Sequence, residues 1–194
     1  MNKEIRGIVR AVCISKQRGT AKEEVPECRL IEDWGLESDA HAGNWHRQVS
    51  LLALEQIEAF RKRGADVAFG AFGENLVVEG FDLSALPVGT VLTCGDAELE
   101  LTQIGKECHS RCAIYAQVGD CIMPREGVFA VVKKGGLVKP GTEIRVQACG
   151  ASDKNCGQSS EKTGETDCQD SENADETGCL GVDRPDEGRE KSEC

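Results

Sequence analysis

What most restricts the fold of this chain is its punctuation. Short apolar stretches rich in β-branched residues recur between residues 7 and 146, each stopped by glycine, proline or a polar loop, and a single stretch has helical spacing. Branched side chains suit a pleated backbone, while glycine and proline interrupt it, so such runs read as strands. Many short strands with one clear helix imply a mostly β domain, an antiparallel sandwich or barrel with a few short helices.

Residues 7–15, with Ile8, Val9, Val12 and Ile14, form the first expected strand. Residues 25–32 follow as a second, entered through Pro26, which suits an edge or a strand start. The helix is expected over 54–63, where Leu54, Ile57, Phe60 and Arg61 share spacing, Ser50 is a candidate cap and Gly64 a left-handed stop. Strands then follow at 91–94 and 98–104, joined by a Gly95-Asp96 hairpin, with Leu99 and Leu101 facing away from Glu98, Glu100 and Thr102. Residues 128–132 make another strand, Gly135-Gly136 and Pro140-Gly141 are turns, and 143–146 is the last strand.

Beyond residue 148 periodicity stops. Past Ala151 the only large aliphatic residues are Leu180 and Val182, too few to offset chain entropy. The expected organisation is therefore a domain over 1–149 and a disordered tail over 150–194. The tail also carries most of the charge imbalance, with 13 acidic against 5 basic residues in a chain of net charge −11. That balance argues against a nucleic-acid or anionic-membrane partner, because both reward a basic surface. No apolar run reaches the roughly 18–20 residues of a membrane span, and residues 1–10 lack the apolar stretch of a secretion signal. A cytoplasmic chain is expected. Its 11 cysteines are odd in number and irregularly spaced, which favours free thiols, metal ligands or a sulfur-handling site over a disulfide framework.

Chemistry concentrates in residues 106–125, KECHSRCAIYAQVGDCIMPR, where Cys108, Cys112 and Cys121 stand beside His109 and the cations Lys106, Arg111 and Arg125. Nearby cations favour the thiolate over the thiol, and Cys108 is the leading candidate. A second polar loop, 33–49, gathers Asp39, His41, His46 and Arg47. A carboxylate two residues from a histidine can orient it or exchange its proton, and Arg47 can hold a phosphate or carboxylate. The competing reading is a polar loop whose histidines cap neighbouring backbone. A third stretch, FGAFGENLVV at 69–78, places Gly70, Gly73, Glu74 and Asn75 before a strand. It reads as a site of close backbone approach or as a structural turn held by Asn75. Cys13 and Cys94 read as small buried apolar residues, and Trp34 and Trp45 as packing groups.

Three separated stretches, GLESDAH at 35–41 with Arg47, GAFGENL at 70–76, and Thr102-Gln103 leading to Cys108, together with VKPGTEI at 138–144, resemble the MOSC domain, named for the C-terminal domain of molybdenum-cofactor sulfurases. The likeness covers roughly residues 5–147 and none of the tail. It implies a barrel-like fold with one reactive cysteine, matched here by Cys108, and a role in binding the molybdenum cofactor (molybdopterin) or passing sulfur for it. Some stand-alone relatives reduce N-hydroxylated bases with that cofactor. Where family members often have glycine before the Asp of the first motif this chain has Ser38, and where many have proline before the cysteine it has Glu107. The pyridoxal-phosphate-dependent half of the larger sulfurases has no counterpart, and no lysine stands in a Schiff-base context.

On this resemblance Cys108 accepts sulfur as a persulfide or coordinates molybdenum, since a soft thiolate suits both. Lys106, Arg111 and Arg47 would hold phosphate and pterin oxygens, Gly73, Glu74 and Asn75 would supply backbone N–H donors and an amide, and His41 with Asp39 would handle protons. Partners would be the cofactor or the proteins that make and sulfurate it. Two rivals use the same cysteines. Cys108, His109, Cys112 and Cys121 are a donor set for zinc or an iron–sulfur cluster, without a paired C-x-x-C knuckle, and Cys108 with Cys112 is a candidate redox pair.

Overall fold

A computed structural model describes residues 4–106 and 113–147. Eleven strands and three helices follow in chain order: β1 Arg6–Ile14, β2 Glu23–Val25, β3 Cys28–Ile31, β4 Gly35–Leu36, β5 Val49–Ala53, α1 Leu54–Lys62, β6 Leu76–Glu79, β7 Val91–Cys94, β8 Ala97–Ile104, α2 Ala113–Val118, α3 Met123–Glu126, β9 Val128–Lys134, β10 Gly136–Val138 and β11 Glu143–Val146. Strands β11, β7, β8, β9, β5, β6 and β1 are neighbours in that order, and β11 pairs again with β1, so the sheet closes into a seven-stranded barrel. Closure leaves these strands no free edge. A separate sheet of β10, β3 and β4 lies beside it in the topology. The expected mostly β, barrel-like fold is what forms.

The barrel is mixed, and the reason lies in the helix. Strand β5 runs straight into α1, and β6 then pairs parallel to β5, so α1 is the crossover that a parallel pair requires. Every other pairing is antiparallel. Ile57 and Phe60 are the buried face of α1, with Glu55 in its first turn and Arg61 and Lys62 in its last, signs that suit the helix dipole. Gly64 ends it with φ 95°. Ser50 does not cap it. Ala53 is the N-cap residue, and Ser50 instead sits within β5 and donates its hydroxyl to the Gly73 carbonyl at 2.9 Å.

Two apolar clusters follow from alternation along these strands. Val9, Leu51, Leu76, Leu99, Leu101 and Ile144 point into the barrel. Leu52, Val77 and Phe129 belong to a second cluster with Ile57 and Phe60 of α1 and Ile114, Ile122 and Met123 from the helical segment after β8. Strand β1 changes its allegiance midway, because a register shift between Val9 and Ala11 inserts one residue. After this bulge Ala11 and Cys13 face the second cluster while Val12 faces the barrel.

The expected single strand over 25–32 is divided. Residues 23–25 pair with β1 and residues 28–31 join the small sheet, with Pro26 between them. Proline cannot donate to a ladder, and here it separates two sheets. Gly136 belongs to a strand, not to a turn. The Gly95-Asp96 connection holds, joining Cys94 and Ala97 as a pair. Residues 150–194, expected as a disordered tail, lie outside the described residues. No helix among the described residues is long and apolar enough to cross a membrane.

Candidate functional site

Asp39, His41 and Asn75, three of the polar residues singled out by motif, converge where β1, β5 and β6 begin to part. At this end Asn75 immediately precedes β6, and its backbone extends the ladder on both sides: its N–H reaches the Ser50 carbonyl at 2.8 Å and its carbonyl accepts from Cys13 N–H at 2.7 Å. The side-chain amide fills the gap between the diverging strands. Oδ1 accepts from Ser50 N–H at 3.1 Å, while Nδ2 donates to the Cys13 carbonyl at 3.0 Å and to Asp39 Oδ2 at 3.3 Å.

Asp39 is the centre of this network. Its side chain is 0% exposed and that of its partner Lys22 is 3% exposed. Lys22 Nζ lies 2.8 and 2.7 Å from the two carboxylate oxygens, and Ser15 N–H donates to Oδ1 at 2.9 Å. Burial pushes the Asp39 carboxyl up, but the Lys22 and Ser15 hydrogen bonds, the Lys22 charge and the Asn75 amide together hold it below the ordinary value. Asp39, expected to handle protons with His41, has Oδ1 4.0 Å from His41 Nδ1. A carboxylate with both oxygens committed to donors stays ionised at neutral pH and works as an internal tie.

Glu74 also turns inward. The Glu74 carboxylate, fully buried, accepts Gly70 N–H at 2.7 Å and Phe72 N–H at 3.0 Å, closing the 70–74 turn on itself. Burial nevertheless raises its pKa, against the pull of those N–H groups. Gly70 has φ 85°, and a Cβ there would collide with the Lys22 carbonyl, so glycine is required by both conformation and space. The N–H groups of Gly73 and Asn75 are already donated to Gly70 and Ser50. Both N–H groups are therefore paired within the protein, and the GENL run braces this turn.

His41 is different. Its Nδ1 lies 3.4 Å from both Ser15 Oγ and Lys22 Nζ, and the rest of the half-exposed ring faces a cleft of about 320 Å³ lined also by Arg18, Ala42, Gly43, Asn44 and Trp45. Burial lowers its pKa first, Lys22 next, then Arg18 and Lys106, with Asp39 opposing. At neutral pH it is an uncharged imidazole beside cations.

Arg47 lies on an aromatic shelf, its guanidinium carbon 4.8 Å from the centre of Trp45 and 5.7 Å from that of Phe129. Its Nε is buried and has no hydrogen-bond partner among the described residues. Trp45 is thus partly a stacking surface, exposed at 38%, with its indole N–H on the His41 carbonyl at 3.1 Å. His46 Nε2 meets Gln103 Oε1 at 3.1 Å, and Thr102 Oγ1 bonds the His46 carbonyl, which pins this loop to the end of β8. Gln103 in turn donates to the Gly105 carbonyl at 2.6 Å, one residue before the exposed Lys106.

Cys108, His109, Arg111 and Cys112 lie outside the described residues. Of the flanking groups, Arg125 is bound to Asp120, which also holds Arg63, so one carboxylate is shared by two guanidinium groups. Among the described residues no three His, Cys, Asp or Glu side chains are grouped as metal ligands. Cys13 and Cys94 are buried, as expected of small apolar groups, and burial pushes both thiols up to about 12. Two members of the site had no signal in the sequence. Lys22 and Arg18 sit in a connection between strands, and nothing in spacing or composition marks one as buried and the other as lining a cleft.

A closed mixed barrel with an annexed three-stranded sheet and polar loops gathered at one end defines the class. The MOSC domain family matches residues 38–147, more than half of the chain, and the chain belongs to that family. Among solved structures it is similar to the YuaD protein from Bacillus subtilis, with 18% identity over 75% of this chain and 98% of that one and a TM-score of 0.59. It is also similar to YiiM from Geobacillus stearothermophilus, with 20% identity over 76% of this chain and 77% of that one and a TM-score of 0.57. For YiiM from Escherichia coli the values are 21%, 74%, 70% and 0.52. At these identities the likeness is one of fold. No curated protein matches the sequence.

Proposed function

We propose that this MOSC-family chain acts in molybdenum cofactor metabolism, binding the cofactor or carrying sulfur as a persulfide on Cys108. The observation that carries the reading is Arg47: a buried guanidinium nitrogen without a partner among the described residues, on an aromatic shelf, in a loop pinned to the strand that leads to Lys106 and Cys108. An unpaired buried donor is costly and marks a place where an acceptor belongs. A phosphate or pterin oxygen is such an acceptor, so the residues present fit the group. When bound, the cofactor would supply a molybdenum centre that a soft thiolate can ligate.

The chain's own residues divide the remaining work. Arg47, Lys106 and Arg111 hold anionic oxygens, and His41 holds a proton at the cleft. Asp39, Asn75 and Glu74 act at one remove, by fixing the loops that carry those groups. For sulfur transfer, the Cys108 thiolate attacks the outer sulfur of a donor persulfide. A new S–S bond forms on Cys108, the donor S–S bond breaks, and the donor leaves as a thiolate without net oxidation. Donors and acceptors would be the proteins that build and sulfurate the cofactor.

The test is cyanide-releasable sulfur on the full chain after incubation with a persulfide donor, alongside retention of added cofactor. Wild type should load stoichiometrically and Cys108→Ser should lose both properties. Undiminished loading and retention in Cys108→Ser would remove the proposal.

A further inference from the structure

One cleft on this acidic protein is cationic. The chain carries a net charge of −11, yet the cleft is lined by Arg18, and Lys22, Arg18 and Lys106 all act on His41 as cations, with Asp39 opposing. Asp39 is spent, its oxygens held by Lys22, Ser15 and Asn75. Arg18 lines the cleft and donates Nε to the Ala40 carbonyl at 3.0 Å, which holds its guanidinium in place. An ammonium has donors only, so His41 Nδ1, 3.4 Å from Lys22 Nζ, is the acceptor of that pair and the ring proton sits on Nε2, at the opposite edge. Trp45 closes one side of the cleft, and Arg47, which stacks on it, is not part of the lining.

We propose that this cleft is a binding site for an oxyanion of phosphate or sulfate type, gripped between the Arg18 guanidinium and His41 Nε2–H, with Trp45 as its wall. A donor fork and a neutral N–H donor in a positive field match a tetrahedral anion. The volume of about 320 Å³ is at the small end for ligand sites, so it fits the anion alone or the anionic end of a larger molecule. The proposal does not depend on Cys108 or on molybdenum, and each can fail without the other.

Inorganic sulfate is the first probe, because its charge does not change across the neutral range. In the full chain carrying Trp34→Phe, Trp45 becomes the single indole and its fluorescence should respond saturably to sulfate. Arg18→Gln, on the surface, should weaken binding about tenfold, the usual size for loss of a charge-assisted bond. Independently, sulfate should raise the pKa of the His41 imidazole in NMR titrations, with His41→Gln assigning the resonance, since an anion favours the protonated ring. A second arm compares inorganic phosphate with phenyl phosphate. Tighter binding of the ester, lost in Trp45→Leu, identifies the end of a larger ring-bearing ligand, and equal binding identifies the free anion. Response without saturation, equal binding by Arg18→Gln, or an unmoved His41 pKa overturns the proposal.

Discussion

Two ion-pair clusters on this molecule use the same chemistry in opposite surroundings. Lys22 and Asp39 meet inside the protein, 3% and 0% exposed, and their neighbours Ser15 and Asn75 complete the carboxylate's coordination. Asp120, 29% exposed, binds Arg63 at 3.0 Å and Arg125 at 2.9 Å on the surface between the end of α1 and α3. Both aspartates have lowered pKa values. Only one of them organises a site. Water and salt screen the surface cluster, whereas the buried pair has no solvent to replace a missing partner. The difference shows why shifted titration by itself does not find function: the shift at Asp39 matters because it fixes the loop that presents His41 to the cleft.

Breaking the buried pair is the largest expected effect. Asp39→Asn leaves the Lys22 ammonium buried without its counter-charge and should cost about 3–5 kcal/mol in urea unfolding. Replacing both together, Lys22→Met with Asp39→Leu, should recover most of that loss, because the uncompensated charge is gone. Next comes Asn75→Ala, which strands the buried groups of Cys13 and Ser50 and should cost about 1–3 kcal/mol. If it costs nothing, Asn75 is not the brace between the parting strands.

Acid sharpens the comparison further. An aspartate whose folded pKa is lowered contributes stability that is complete above its unfolded value and is lost as pH falls through the folded value. Asp39 and Asp120 both have this sign. Glu74, raised by burial, has the opposite one and regains stability as pH falls through its folded value. In high salt the Asp120 contribution should vanish and that of Asp39 persist, so Asp39→Asn flattens the acid limb of the stability curve while Asp120→Asn leaves it unchanged.

Smaller still is Ser38→Gly. Ser38 has φ 63°, a left-handed backbone at the place where family members often carry glycine, and relieving it should add up to about 1 kcal/mol. The smallest effect is Asp120→Asn, which should leave the thermal midpoint in place in moderate salt.

Periodicity made the barrel legible. Alternation at Leu99 and Leu101, the Gly95-Asp96 hairpin, and Ile57 with Phe60 on one helical face are local patterns, and each appears in the fold. What local pattern does not contain is long-range pairing. Pro26 separates two sheets, Ser50 lies within a strand and bonds Gly73, and the bulge in β1 redirects Ala11 and Cys13. Asp39, His41 and Asn75 do come together, but motif alone does not say which way they face. Asp39 and Asn75 are turned into the protein by partners far along the chain, as Lys22 at 17 and Asn75 at 36 residues from Asp39 illustrate, whereas Glu74 is held by its own turn. Arg18 and Lys22 belong to no pattern because burial and cleft lining are set only once β1 and the 37–48 loop have met.

The most direct test of the molybdenum reading is the pterin content of the intact chain after incubation with molybdenum cofactor and removal of unbound ligand. Wild type should retain pterin in proportion to protein, Arg47→Gln should retain much less, and Asp120→Asn as much as wild type. Equal retention by the Arg47 variant, or no retention by wild type, would contradict it.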